Sequence, residues 1–113
     1  MTMVYEQVRV AGPFAFVSGQ TPLDDQGGVP ADAAGQVGVV VGKIEGLLRG
    51  IGMGLADVVK VSYFLTDIAD LAEVREALDQ LLPHPRPAAV LVEVSALIDP
   101  RFRIEIDAVA HRA

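Results

Sequence analysis

The chain has 113 residues, 51% of them hydrophobic and 21% charged, with a formal net charge of −6 and no cysteine. That length fits a single domain over 1–113 around one core, and the composition excludes a disordered chain. The missing thiol excludes disulfides, Fe–S clusters, Cys-ligated zinc and a cysteine nucleophile.

Residues 4–10 and 14–20 read as two strands joined at Gly12-Pro13. Pairing them about that turn sets Tyr5 opposite Gln20, Gln7 opposite Ser18 and Arg9 opposite Phe16. Side chains alternate along a strand, so these six share one face, and Val8, Val10, Ala15 and Val17 form a core face. The run 21–30 is rich in Pro, Gly and Asp and reads as a loop. A helix comes next, over about 31–52. Its apolar arc is Val37, Val40, Val41, Ile44, Leu47, Leu48 and Ile51, and Gly38, Gly42, Gly46 and Gly50 recur on the opposite arc. That glycine arc reads as an outer face rather than a groove for a second helix.

The segment Val58–Leu65 is rich in β-branched and aromatic residues and reads as a strand. Asp70 stands three residues before Glu73, a variant of the capping box, so a helix starts near Leu71. Its buried stripe is Leu71, Val74, Leu78, Leu81 and Leu82, and Pro83, Pro85 and Pro87 end it. Ala88–Val94 reads as a fourth strand. Phe102–Ala110 reads as a fifth, with Phe102, Ile104, Ile106 and Ala108 on one side and Arg103, Glu105, Asp107 and Val109 on the other.

The order β-β-α-β-α-β-β predicts an α+β domain, a mixed sheet with two helices on one face. The other face is expected to carry Phe16, Ser18, Leu91, Glu93, Glu105 and Val109. It is too apolar to be left in water, so another subunit is expected to cover it. The arginines are scattered at 9, 49, 75, 86, 101, 103 and 112, which argues against a phosphate-binding footprint. No N-terminal basic region precedes an apolar run, and no stretch is apolar enough to span a bilayer; the expected setting is soluble and cytoplasmic. His84 and His111 have no ligand spacing, so no metal site is expected.

Four runs resemble one known family. Phe16-Val17-Ser18-Gly19-Gln20-Thr21-Pro22 is similar to the S-G-Q-x-P signature of the Rid family, the reactive intermediate deaminases or YjgF-like proteins. Gly28–Asp32 resembles the family's loop before its first helix. Asp57–Val61 with Leu65-Thr66-Asp67 resembles its central strand, and Arg103–Ala110 its C-terminal signature. The resemblance implies a chorismate-mutase-like fold, a homotrimer with ligand sites in clefts between subunits, and cofactor-free hydrolysis of small enamines and imines to carbonyl compounds and ammonia. It implies Tyr5, Ser18 and Glu105 as catalytic residues, with Glu105 activating or positioning water.

The chain departs from the family at Ala89. The family has an Arg there, in a P-x-R or P-A-R run, that clamps a substrate carboxylate; this chain reads Pro87-Ala88-Ala89. Ala89 and Leu91, with Phe16, Gln20, Arg9 and Arg86, are the expected substrate-binding residues, and Arg9 or Arg86 is a candidate replacement for the clamp. The family's first-helix Asn is Lys43 here. A buried charged Glu105 must be paired, protonated or functional, and Glu93 has Arg9, Lys60 or Arg103 as candidate partners. The alternatives to an enzyme are a trimeric metabolite-binding or pathway-partner protein and, more weakly, an endoribonuclease.

Overall fold

The computed structural model describes residues 3–113. In chain order it contains β1 (Val8–Ala11), β2 (Phe14–Gln20), α1 (Ala33–Arg49), β3 (Val58–Leu65), α2 (Leu71–Leu81), β4 (Ala88–Glu93) and β5 (Ile104–His111), with single 3-10 turns before β3 and α2. One five-stranded sheet runs β1-β2-β5-β3-β4. The β3–β4 pair is parallel and the other pairs are antiparallel. α1 packs on β2 and β5 and against α2, so the helices share one face, as predicted. No helix among the described residues is long and apolar enough to cross a membrane.

The core is the seam between that face and α1. Ala15 and Val17 meet Ile106, Ala108 and Ala110 from the sheet and Val37, Val40, Ile44 and Leu48 from the helix, all buried. Ile104, Ile106 and Ala108 are buried together, as the strand alternation predicts, whereas Phe102 precedes β5 and is buried outside that cluster. Asp32 caps α1, its carboxylate accepting the Gly35 N–H at 3.0 Å. Gly38, Gly42 and Gly46 are exposed or half-buried, and a Cβ on any of them would meet nothing within 4 Å. Gly46→Ala should therefore stabilise the chain by about 0.5–1 kcal/mol by raising helix propensity. Ile104→Ala, which empties a fully buried site, should cost about 2–5 kcal/mol. Denaturant melts check both; a loss at Gly46 would mean that the arc is packed.

Five details differ from the sequence reading. β1 starts at Val8, so Tyr5 and Gln7 precede the strand, although Arg9 does pair with Phe16. Val10 lies beyond the helices and is exposed. A bulge at Ser18–Gly19 puts these two residues of β2 against one of β5, Asp107, and reverses the facing of the strand's last residues. Gln20 therefore pairs with Ile106 and is buried on the helix side, not beside Phe16 and Ser18. In β4, Ala89 pairs with Val61 and Leu91 with Tyr63, whose side chains are buried under the helices. Ala89, Leu91 and Glu93 thus point to the helix side, and Val90 and Val92 take the open face. Finally, Asp70 and Glu73 form no capping box. Asp70 holds Arg103 at 2.9 Å, and Glu73 accepts the Ala34 N–H at the start of α1.

The open face of the sheet carries Phe16, Val90 and Val92, exposed at 45%, 45% and 40%, together with Ser18, Glu105 and Val109.

Candidate functional site

The site is built at the bulge of β2. Bulges re-aim side chains, and this one contains Gly19, whose missing Cβ leaves a seat on the open face. The Glu105 carboxylate fills that seat from neighbouring β5: a Cβ on Gly19 would collide with its Oε2 and lie 3.1 Å from its Cδ. No cation and no hydrogen-bond donor among the described residues pairs with this carboxylate. Burial pushes its pKa up, and the charge of Asp107, two residues along the same strand face, pushes it further the same way. Of the three possibilities open to a half-buried Glu105, pairing is thus the one that the chain does not use.

Beside this seat runs an open groove lined by Tyr5, Glu6, Arg9, Phe16 and Ser18, with Met3 and Val4 at its rim. Phe16 supplies an apolar wall. Arg9 and Tyr5 are exposed at its edge. The Ser18 hydroxyl donates to the Glu6 carbonyl at 2.6 Å. Tyr5, Arg9, Phe16 and Ser18 therefore come together in one groove, and Glu105 adjoins it through Gly19, the chain neighbour of Ser18. Gln20 does not join them. Its amide donates to Gln7 Oε1 at 2.8 Å and to the Ser18 carbonyl at 3.0 Å, supporting the bulge from beneath.

Ala89, Leu91 and Arg86 lie elsewhere in the chain. They line a second groove on the helix side of edge strand β4, with Tyr63, Leu78, Leu82, Arg75 and Asp79. The Arg86 guanidinium is engaged there by the Asp79 carboxylate at 3.0 Å and by the Asp79 carbonyl at 3.2 Å. Glu93 pairs with none of Arg9, Lys60 or Arg103; it accepts the Ile68 N–H at 2.8 Å and so anchors the turn before α2. Lys43 donates to the Thr21 carbonyl at 2.8 Å, tying α1 to the loop after β2. Burial lowers its pKa, with Asp25 and Asp24 opposing the shift. His84 accepts from Arg86 at 3.4 Å, and His111 stacks edge-on against Phe14 at 5.0 Å. Among the described residues no three His, Asp or Glu side chains gather to hold a metal ion.

One polar residue escaped the sequence reading. Gln36 is 1% exposed on the buried arc of α1, and all of its polar atoms are used. It donates to the carbonyls of Pro30 and Arg101 at 2.8 and 2.9 Å and accepts the Arg103 N–H at 2.7 Å. It thereby fixes the entry to β5, two residues before Glu105. The signal was present: Gln36 is the lone polar side chain in register with Ala33, Val37, Val40 and Ile44.

The sheet order and the two helices on one face define a chorismate-mutase-like α+β domain, with a carboxylate set at a glycine bulge. The family model described as Endoribonuclease L-PSP matches residues 2–112, and the chain belongs to that family, the YjgF, RutC and Rid proteins. A RutC family protein of Pyrococcus horikoshii is 38% identical over 111 residues, 96% of this chain and 86% of its own. Escherichia coli TdcF, named as a candidate reactive intermediate deaminase, is 30% identical over 114 residues, covering 96% and 87%. The crystal structure of TdcF with bound serine superposes with a TM-score of 0.89 at 28% identity, over 100% of this chain and 91% of that one. RidA from an Antarctic Psychrobacter superposes at 0.92 with 28% identity, over 99% and 91%.

Proposed function

We propose that this protein hydrolyses a small enamine or imine to a carbonyl compound and ammonia, without a cofactor. The observation that carries the reading is the unpaired, half-buried Glu105 carboxylate seated against Gly19 beside the Tyr5–Ser18 groove. Protonation of an enamine at carbon gives the iminium ion. Glu105 takes a proton from water as the water oxygen bonds to the iminium carbon. The resulting carbinolamine receives that proton on nitrogen, and the C–N bond breaks as the hydroxyl oxygen forms the C=O and releases its proton to water, which offsets the proton that solvent first supplied to the enamine carbon. One water is consumed, ammonia leaves, and no electrons change hands. Phe16 packs the apolar part of the substrate, and Tyr5 and Arg9 meet its polar end. TdcF, a relative named for this chemistry, supports the class. The endoribonuclease reading has the description of the matching family model on its side, but a chain of net charge −6 with scattered arginines offers no basic footprint for a phosphate backbone.

The working site spans two subunits of a homotrimer. Within one chain, Glu105 and Ser18 sit on the open face, and Ala89 and Leu91 sit on the helix side of the far edge strand. A second copy covering the open face brings its own β4 edge to the first copy's Glu105, and it covers the exposed Phe16, Val90 and Val92. Light scattering should give three times the 11.9 kDa chain mass, and a stable monomer at micromolar concentration would sink the shared site.

Neither of the positions at β4 holds a substrate carboxylate, which leaves Arg9 as the guanidinium that lines the site groove. Ala89 has no charge, and Arg86 is already engaged by Asp79. Ala89→Arg should raise hydrolysis of freshly made 2-aminoacrylate about 10- to 100-fold, the worth of one charge-assisted pair. No gain, together with loss of activity in Arg9→Ala, would move the clamp to Arg9. Ammonia release from 2-aminoacrylate and from a carboxylate-free imine tests the whole reading. Saturable binding of both with no ammonia from either would favour a metabolite-binding protein, a reading for which the serine bound to TdcF is the specific support.

A further inference from the structure

We infer that Ser18 is a positioning residue: its hydroxyl latches the N-terminal segment so that Tyr5 stands over the site. This rests on the deaminase reading for its activity consequences, but the latch itself is read from geometry. Three contacts tie the segment before β1 to β2. The Ser18 N–H donates to the Gln7 carbonyl at 2.9 Å, and the Gln20 amide donates to the Gln7 side chain at 2.8 Å. The third, from Ser18 Oγ to the Glu6 carbonyl at 2.6 Å, is the last anchor before Tyr5. Beyond it Tyr5 is 57% exposed, and Val4 is more exposed still.

Tyr5 stands between two grooves. One is the site groove with Arg9, Phe16 and Ser18; the other runs along the end of α1, by Gly46, Leu47, Gly50 and Ile51. The bond to Glu6, one residue from Tyr5, sets where the segment crosses the sheet and hence which groove receives the ring. A serine hydroxyl has one proton to donate. With that proton committed to Glu6, Ser18 has none to give a substrate, and its direct part is at most that of an acceptor. The two Gln7 contacts do not use the hydroxyl, so its removal frees only residues up to Glu6.

Two measurements on the full-length chain test this. In Ser18→Ala, the backbone amide order parameters of Tyr5 and Glu6 should fall from the rigid range to below about 0.6, with those of Val8–Ala11 unchanged; Ser18→Thr, which keeps the hydroxyl, should restore them. Unchanged values at Tyr5 and Glu6 in Ser18→Ala overturn the latch. The second measurement is a double-mutant cycle on imine hydrolysis. Ser18→Ala and Tyr5→Ala should slow turnover by similar factors, and the double variant should be within about twofold of the slower single one. Losses that multiply would mean that Ser18 acts on the substrate in its own right, which overturns the inference. If the parent chain turns over no imine, the deaminase reading fails, and the order parameters alone decide the latch.

Discussion

Glu105→Gln is expected to lower imine hydrolysis about 10²- to 10⁴-fold, the usual worth of a positioned general base. Glutamine fills the same seat against Gly19 and keeps the shape of the strand, so the loss reports the carboxylate and not the packing. The direction of its pKa shift adds a second signature. Burial, and then the charge of Asp107, raise the Glu105 pKa above the ordinary carboxylate value. A base works only when deprotonated. Turnover should therefore fall on acidification through a pKa higher than that of a free glutamate, and this limb should vanish from the residual activity of Glu105→Gln. The stability consequence has the opposite sign. A carboxyl whose folded-state pKa is raised favours folding when protonated, below its unfolded pKa, and that contribution is lost as pH rises through the folded pKa. At neutral pH the charge opposes folding, and the neutral amide should melt at the same temperature or higher. Lower turnover with equal or greater stability is the pattern of a functional group kept at a structural cost. Full activity in Glu105→Gln would remove the general base from the mechanism.

How far the sequence can be read depends on the contrast between the two faces of each strand. In β5, Ile104-Glu105-Ile106-Asp107-Ala108 alternates apolar with charged side chains, so both the strand and its facing are legible. In β4, Ala88-Ala89-Val90-Leu91-Val92 is apolar at every position although the strand is mostly exposed, so no polar–apolar contrast marks the side that faces the helices. The strand is readable but its parity is not, and the sequence reading puts Leu91 and Glu93 on the wrong face. The bulge hides Gln20 in the same way: a period-2 count carries straight through Ser18–Gly19, whereas the backbone adds a residue there. Asp70 and Glu73 show a third limit. Their spacing suits a local cap, but Arg103 and the Ala34 N–H, 33 and 39 residues away, compete for the same carboxylates and win. Likewise the neighbourhood of Glu105 and Gly19 comes from β2–β5 pairing, which no local pattern encodes; alternation puts Ser18 and Glu105 on one face, and the family resemblance is what makes them one site beforehand.

Gln36→Leu should be among the most damaging single changes in the chain, costing about 4–6 kcal/mol. The leucine matches the apolar arc of α1 and suits helix propensity, so local rules call the change favourable. Its cost arises from three backbone groups that come from elsewhere. The carbonyls of Pro30 and Arg101 lose their donor, and the Arg103 N–H loses its acceptor. Each such group left dry costs about 1–3 kcal/mol, carbonyls toward the lower end because they keep a second lone pair open to other donors. Gln36 itself is 1% exposed among its buried helix neighbours Ala33, Val37 and Val40, so a leucine there brings no water into its place. Two of these bonds hold Arg101 and Arg103 in register at the entry to β5, and the third ties that entry to Pro30. A second variant isolates the two donor bonds from the acceptor. Gln36→Glu keeps the acceptor for Arg103 and gives up donors to Pro30 and Arg101 when ionised; its stability should rise on acidification, where the protonated acid donates one of the two bonds. Urea melts of Gln36→Leu and Gln36→Glu from about pH 5 to 8 check this. A loss below about 1 kcal/mol in Gln36→Leu would mean that the entry to β5 is held by the Asp70–Arg103 pair and the buried Phe102 instead.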